Sequence, residues 1–112
     1  MSFDLAFWHT DSAIDAGEAA EIYKGIIAEV PDVVAANPAV ERFHADVVGV
    51  FPDLTEENMD ESPWMAELYF SPSFLVVNIS WSKRVEVSEV LLRLSRKHGL
   101  VCYDPQGEAV FS

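Results

Sequence analysis

The chain has 112 residues, 50% of them apolar and 12% aromatic, a length that suits one domain and a composition too apolar for a disordered chain. No run approaches the roughly 18 apolar residues of a membrane helix. The formal net charge of −12 argues against nucleic acid and membrane surfaces as partners, since binding phosphate relies on Lys and Arg displacing counterions.

The excess charge is one-sided. Residues 1–62 hold fourteen Asp and Glu against two bases, Lys24 and Arg42, whereas residues 63–112 hold five acids and five bases.

The first predicted element is a strand over residues 3–9, "FDLAFWH". There Phe3, Leu5 and Phe7 alternate with Asp4, Ala6 and Trp8. With no base ahead of it, this stretch lacks the charged start of a secretory signal, and a cytoplasmic protein is expected. From Asp15, the residues Ala16, Ala19, Ala20, Tyr23, Ile26, Ile27 and Val30 recur at three and four, opposite Glu18, Glu21, Lys24 and Glu29. This spacing predicts an amphipathic helix capped by Ser12 or Asp15 and ended by Pro31. A second helix is predicted from Asn37, a cap, and Pro38, at the first helical position, to Pro52. Its inward stripe is Val40, Phe43 and Val47, with Val50 or Phe51. Residues 52–63 show neither alternation nor a helical stripe and read as an exposed loop.

"WMAELYF" and "FLVVNISW", separated by Ser71, Pro72 and Ser73, predict an antiparallel hairpin. "VEVSEVLLRLSRKHG" predicts a third helix with Val87, Val90, Leu91 and Leu94 inward and cations in its last turn. Gly99 closes it in a left-handed conformation. "LVCYD" then forms a strand, "DPQG" a type I turn, and "EAVF" a short edge strand.

Taking the two adjacent helices as one crossover, this order predicts an α+β fold: a ferredoxin-like two-layer sandwich, an antiparallel sheet with helices on one face, as a single domain over residues 1–112. The other face is expected to be open and to offer Asp4, Trp8, Asn78 and Ser80.

Catalytic and metal signatures are sparse. His9, His44 and His98 have no spacing that implies convergence, and Cys102 sits mid-strand, where burial blunts a thiol. "DLTEENMDE" offers oxygen ligands, but not at calcium-loop spacing and without its glycine. No cofactor and no enzymatic activity are therefore expected. What stands out is the acid-rich loop itself. Asp53, Glu56, Glu57, Asp60 and Glu61, followed by Trp64, form a candidate surface for a basic protein partner: carboxylates to meet Lys and Arg, and an aromatic anchor.

The stretches "SFDLAFW" at 2–8 and "HGLVCYDPQ" at 98–106 resemble those of a group of small bacterial proteins, some of them immunity proteins encoded beside toxins. The resemblance implies a protein that binds and neutralises a toxin. A nuclease, with its basic cleft, is the toxin class that the acidity suits. The alternatives are a small enzyme with a site near Trp8, Asn78 and Asp104, or a regulatory or structural domain that forms homodimers through the open face.

Overall fold

A computed structural model describes residues 2–112. In chain order it contains β1 (Ser2–Trp8), α1 (Ala16–Ile27), α2 (Pro38–Val50), β2 (Tyr69–Ser71) and β3 (Phe74–Ser80). A 3-10 turn at Trp81–Lys83 leads into α3 (Arg84–Lys97), β4 (Val101–Asp104) and β5 (Ala109–Phe111). The fold is α+β, with all five strands in one antiparallel sheet of order β2-β3-β1-β4-β5. β1 lies at its centre, paired along its whole length with β3 from Ser2–Ser80 to Trp8–Phe74. It is also paired with β4 over Ala6–Trp8.

The helix boundaries follow from local chemistry. Asp15 Oδ1 accepts from Glu18 N at 2.8 Å, and Asn37 Oδ1 accepts from Ala39 N at 2.9 Å, so each cap satisfies an amide that the helix leaves free. Gly99, at φ 69°, takes the left-handed position after α3.

The turn after β4 is built by two side chains. Asp104 Oδ1 accepts from the amides of Gln106 and Gly107. The Gln106 amide then reaches Asp4, accepting from its N–H at 2.6 Å and donating to its C=O at 2.8 Å. Pro105 has no N–H to continue the ladder, and the Gln106 side chain takes the place of the missing strand.

Two departures from the expected fold stand out. The strand expected over Trp64–Phe70 is broken: Trp64 makes an isolated bridge to Ile79, and regular pairing resumes only at Tyr69 opposite Val76. Between those pairs five steps of one chain, 64 to 69, face three of the other, 79 to 76, so the edge bulges. Leu68 N donates to Asp53 Oδ1 in that stretch, a side-chain partner that competes with the ladder.

Second, the helices are not all on one face. Leu5, Phe7, Leu75, Val77, Ile79 and Cys102 pack with α2 and α3 through Val40, Phe43, Val47, Val87 and Leu91. Ala6, Trp8, Val76, Val101 and Tyr103 pack instead with Ala19 and Ile26 of α1. The strands are apolar on both sides there, and a face carrying Trp8 cannot be left to water. Each such fully buried Leu, Val or Phe contributes about 1.5–3 kcal/mol.

The expected open face is thus largely covered by α1. Trp8 is fully buried, its indole N–H the one buried side-chain polar group without a partner among the described residues. Asp4 and Asn78 remain at the uncovered end, bonded to each other at 2.7 Å. The enzyme and homodimer alternatives both relied on that face.

On the first face the two helices are also tied by charge. His98 Nε2 lies 2.7 Å and Lys97 Nζ 3.1 Å from Asp46 Oδ2 on α2. These bonds, to His98 first and Lys97 second, hold the Asp46 carboxyl below its ordinary value. A carboxyl with a depressed folded-state pKa stabilises the fold above its unfolded pKa of about 3.9, and that contribution is lost as pH falls through the folded value. Asp46→Asn is therefore expected to lower the thermal midpoint at neutral pH. The gap to the parent should close below about pH 4, which thermal melts across pH would show.

Candidate functional site

The acidic stretch leaves α2 at Phe51 and is organised around Asn58. Thr55 Oγ1 accepts from Asn58 N at 3.3 Å, while Asn58 Oδ1 accepts from Thr55 N at 2.8 Å. This is the reciprocal geometry of a helix capping box, with Asn in the usual Glu or Gln place. Asn58 Nδ2 also donates to Asp53 O at 2.9 Å, and the Asn58 carbonyl accepts from Glu61 and Ser62. The loop expected from the sequence is thus a series of hydrogen-bonded turns with fixed shape. Glu56 and Glu57 directly follow the cap, where free amides favour negative charge.

Both ends of these turns are anchored. Asp53 Oδ1 accepts from Leu54 N at 2.7 Å and Leu68 N at 3.0 Å, joining the start of the loop to the bulged edge. Trp64 is only 2% exposed. Its indole N–H reaches the carbonyls of Phe51 and Pro52 at 3.2 and 3.1 Å, and its ring meets Phe51 edge-on at 5.9 Å. Flanking backbone bonds, Ser80 N to Pro63 O and Met65 N to Asn78 O, fasten the segment to β3.

The six residues expected to form one surface therefore divide. Glu56, Glu57, Asp60 and Glu61 are exposed, and among the described residues none of the four meets a base within ion-pair distance. Asp53 is half-buried and spends one oxygen on two amides. Trp64 is a core side chain and offers no anchor to a partner.

The apolar part of the surface is methionine instead. Met59, amid the acids, is 61% exposed and Met65 is 53% exposed. Unbranched thioethers adapt to varied contacts. Met59 also lines a shallow depression with Leu54, Thr55, Glu56 and Glu67. The T-x-x-N spacing of Thr55 and Asn58 is a signal for this turn that a search for alternation and helical stripes passes over, whereas nothing in the sequence marks the two methionines as exposed.

Elsewhere the reactive residue types are occupied. Cys102 is buried, and burial followed by Asp104 pushes its thiol far above the ordinary value, which leaves negligible thiolate at neutral pH. His44 stacks on Phe70 at 3.9 Å, and its burial lowers its pKa against the opposing pull of Asp53. His9 lies 3.9 Å from Asp11. Among the described residues, no three His, Cys, Asp or Glu side chains are placed to hold a metal ion, and no helix is long and apolar enough to cross a membrane.

No family model, curated protein or solved structure matches this chain.

The division between anchors and surface gives a direct test. Asp53→Ala removes a charged acceptor of two amides and is expected to cost about 1.5–3 kcal/mol. Trp64→Ala should cost about 3–5 kcal/mol. Replacing Glu56, Glu57, Asp60 and Glu61 together by their amides should leave stability within about 0.5 kcal/mol. Urea denaturation of the three variants measures all of this.

Proposed function

We propose that this protein is a non-catalytic, cytoplasmic immunity or antitoxin-like protein that binds and neutralises a basic toxin through the turns at residues 53–61. The observation that carries the reading is that four exposed carboxylates without bases are held in a braced, hydrogen-bonded frame. A flexible acid tail would meet solubility needs equally well. A fixed array instead preserves the spacing of charges, and preorganised groups lose less entropy on binding.

Fixed negative charge suits a nuclease, whose cleft must present Lys and Arg to phosphates; an inhibitor with carboxylates in that cleft imitates the substrate's charge. Complementary fields raise association rates to as much as 10⁸–10⁹ per molar per second at low salt, roughly the electrostatically steered limit. Met59 and Met65 supply adaptable apolar contact around the charges. The likeness of residues 2–8 and 98–106 to a group of small bacterial proteins, some of them immunity proteins, supports the same reading.

For the fold we propose a ferredoxin-like core. The order β2-β3-β1-β4 and its antiparallel pairing support it. The added edge strand β5 and the placement of α1 opposite α2 and α3 depart from it.

The test is affinity capture from the native host, with immobilised parent protein and the Glu56→Gln, Glu57→Gln, Asp60→Asn, Glu61→Gln variant side by side. The parent is expected to retain a basic protein that elutes as salt rises above about 0.15 M, where the screening length falls to about 8 Å. The variant should retain at least tenfold less. Equal retention by both, or a neutral or acidic protein on the parent, would contradict the proposal.

A further inference from the structure

A second acidic feature lies away from these turns. The connection between α1 and α2 folds back over the end of α1 and faces the β2–β3 hairpin, and the two border a half-open cavity of about 260 Å³. Ile26, Val33 and Phe74 give it an apolar lining. Val34, Tyr69 and the exposed Glu29 and Asp32 are among its other lining residues, and no Lys, Arg or His lines it. Neither carboxylate takes part in an ion pair among the described residues.

The cavity is built rather than incidental. Val30 N donates to Gly25 O at 2.9 Å, and Asn37 N donates to Pro72 O at 3.2 Å, tying the connection to both α1 and the hairpin. Val33 packs so closely on Gly25 that a Cβ there would stand 2.8 Å from its Cγ2. Glu29 and Asp32 both sit at φ 59°, a left-handed conformation that Gly adopts more easily.

We infer that this cavity receives one arginine side chain of a protein partner. The alkyl stem would lie on Ile26, Val33 and Phe74, with the guanidinium between Glu29 and Asp32 beside the Tyr69 ring. Three properties select that ligand. The lining offers negative charge and no positive charge. A guanidinium stacks on aromatic rings and pairs with carboxylates in a planar fork, and it sheds water more readily than an ammonium. The volume falls just short of the roughly 300–1,000 Å³ typical of small-molecule sites, and suits one long side chain.

The inference shares with the proposed function the expectation of a basic partner, but it rests on a different surface. Phe74, which lines the cavity, and Ile79, which bridges Trp64 at the end of the acidic turns, are five residues apart along β3, or about 17 Å. The two can therefore fail separately.

The test is an amide-resolved NMR titration of the full chain with N-acetyl-arginine amide. Three controls accompany it: the neutral isostere N-acetyl-citrulline amide, free L-arginine, and the Glu29→Gln, Asp32→Asn double variant. The substituted amides keep the size of the side chains, and Asn tolerates the left-handed backbone, so the variant retains the fold. Saturable shifts are expected at Ile26, Val33, Val34 and Phe74. They should be at least tenfold weaker with citrulline amide, and lost in the double variant.

Free arginine carries an α-ammonium and an α-carboxylate, whose charges cancel, where a chain residue has two amides; a cavity that receives only the side chain reads neither, so free arginine should bind no more tightly than the blocked amide. Tighter binding of free arginine would overturn a polypeptide as the source. Equal shifts with citrulline amide, shifts that survive in the double variant, shifts confined to residues 53–61, or no shifts at all would overturn the cavity as the receptor. Loss of the loop's partner in the capture experiment would leave these outcomes unchanged.

Discussion

The two central strands of this sheet are apolar on both sides, and most of the architecture follows from that. β1 turns Leu5 and Phe7 one way and Ala6 and Trp8 the other; β3 does the same with Leu75 and Val77 against Val76. With neither face able to stay in water, the three helices cannot share one side. α2 and α3 take the face with the larger aliphatic set, and α1, with small Ala19 against the sheet, takes the face with Trp8. The fit on that second side leaves one indole N–H without an acceptor, a loss of about 1–3 kcal/mol that the surrounding burial offsets.

The acidic turns depend on that sheet. Like charges on a free segment would repel one another and extend the chain. Here the segment hangs from β3 by the Trp64–Ile79 bridge, from α2 by the indole bonds to Phe51 and Pro52, and from its own bulged edge by Asp53. Asn58 then sets the turns between those anchors. Repulsion among Glu56, Glu57, Asp60 and Glu61 is left to solvent and salt to screen, and its cost is met by side chains that carry no surface role.

Much of the fold was legible in the residues. Alternation gave β1, period and caps gave the helices, and Gly99 and "DPQG" gave the stops, because each of these is a local effect. The placement of α1 was harder to read. Alternation alone groups Ala6 and Trp8 with Asp4 as a mixed face, whereas the unbroken apolar run "LVV" in β3 signals burial on both sides. The break after Trp64 depends on Asp53, eleven positions earlier, and no local pattern foretells a side chain that claims a distant amide. In the candidate site, charge located the surface, but exposure separated Asp53 and Trp64 from it and added Met59 and Met65. The strings behind the resemblance have structural work of their own: "FDLAFW" is the two-faced central strand, and Asp104 and Gln106 complete the sheet beside Asp4.

The acidic turns form a rigid extension of the central sheet. Native-state amide hydrogen exchange tests this most directly. Met65 and Leu68, with Thr55 and Ser62 beside them, are expected to exchange in the slow class set by Leu5, Phe7 and Val77. Exchange of those four amides at the rate of an unfolded chain, with β1 and β3 still protected, would show the turns to be a loose acidic tether and would contradict it.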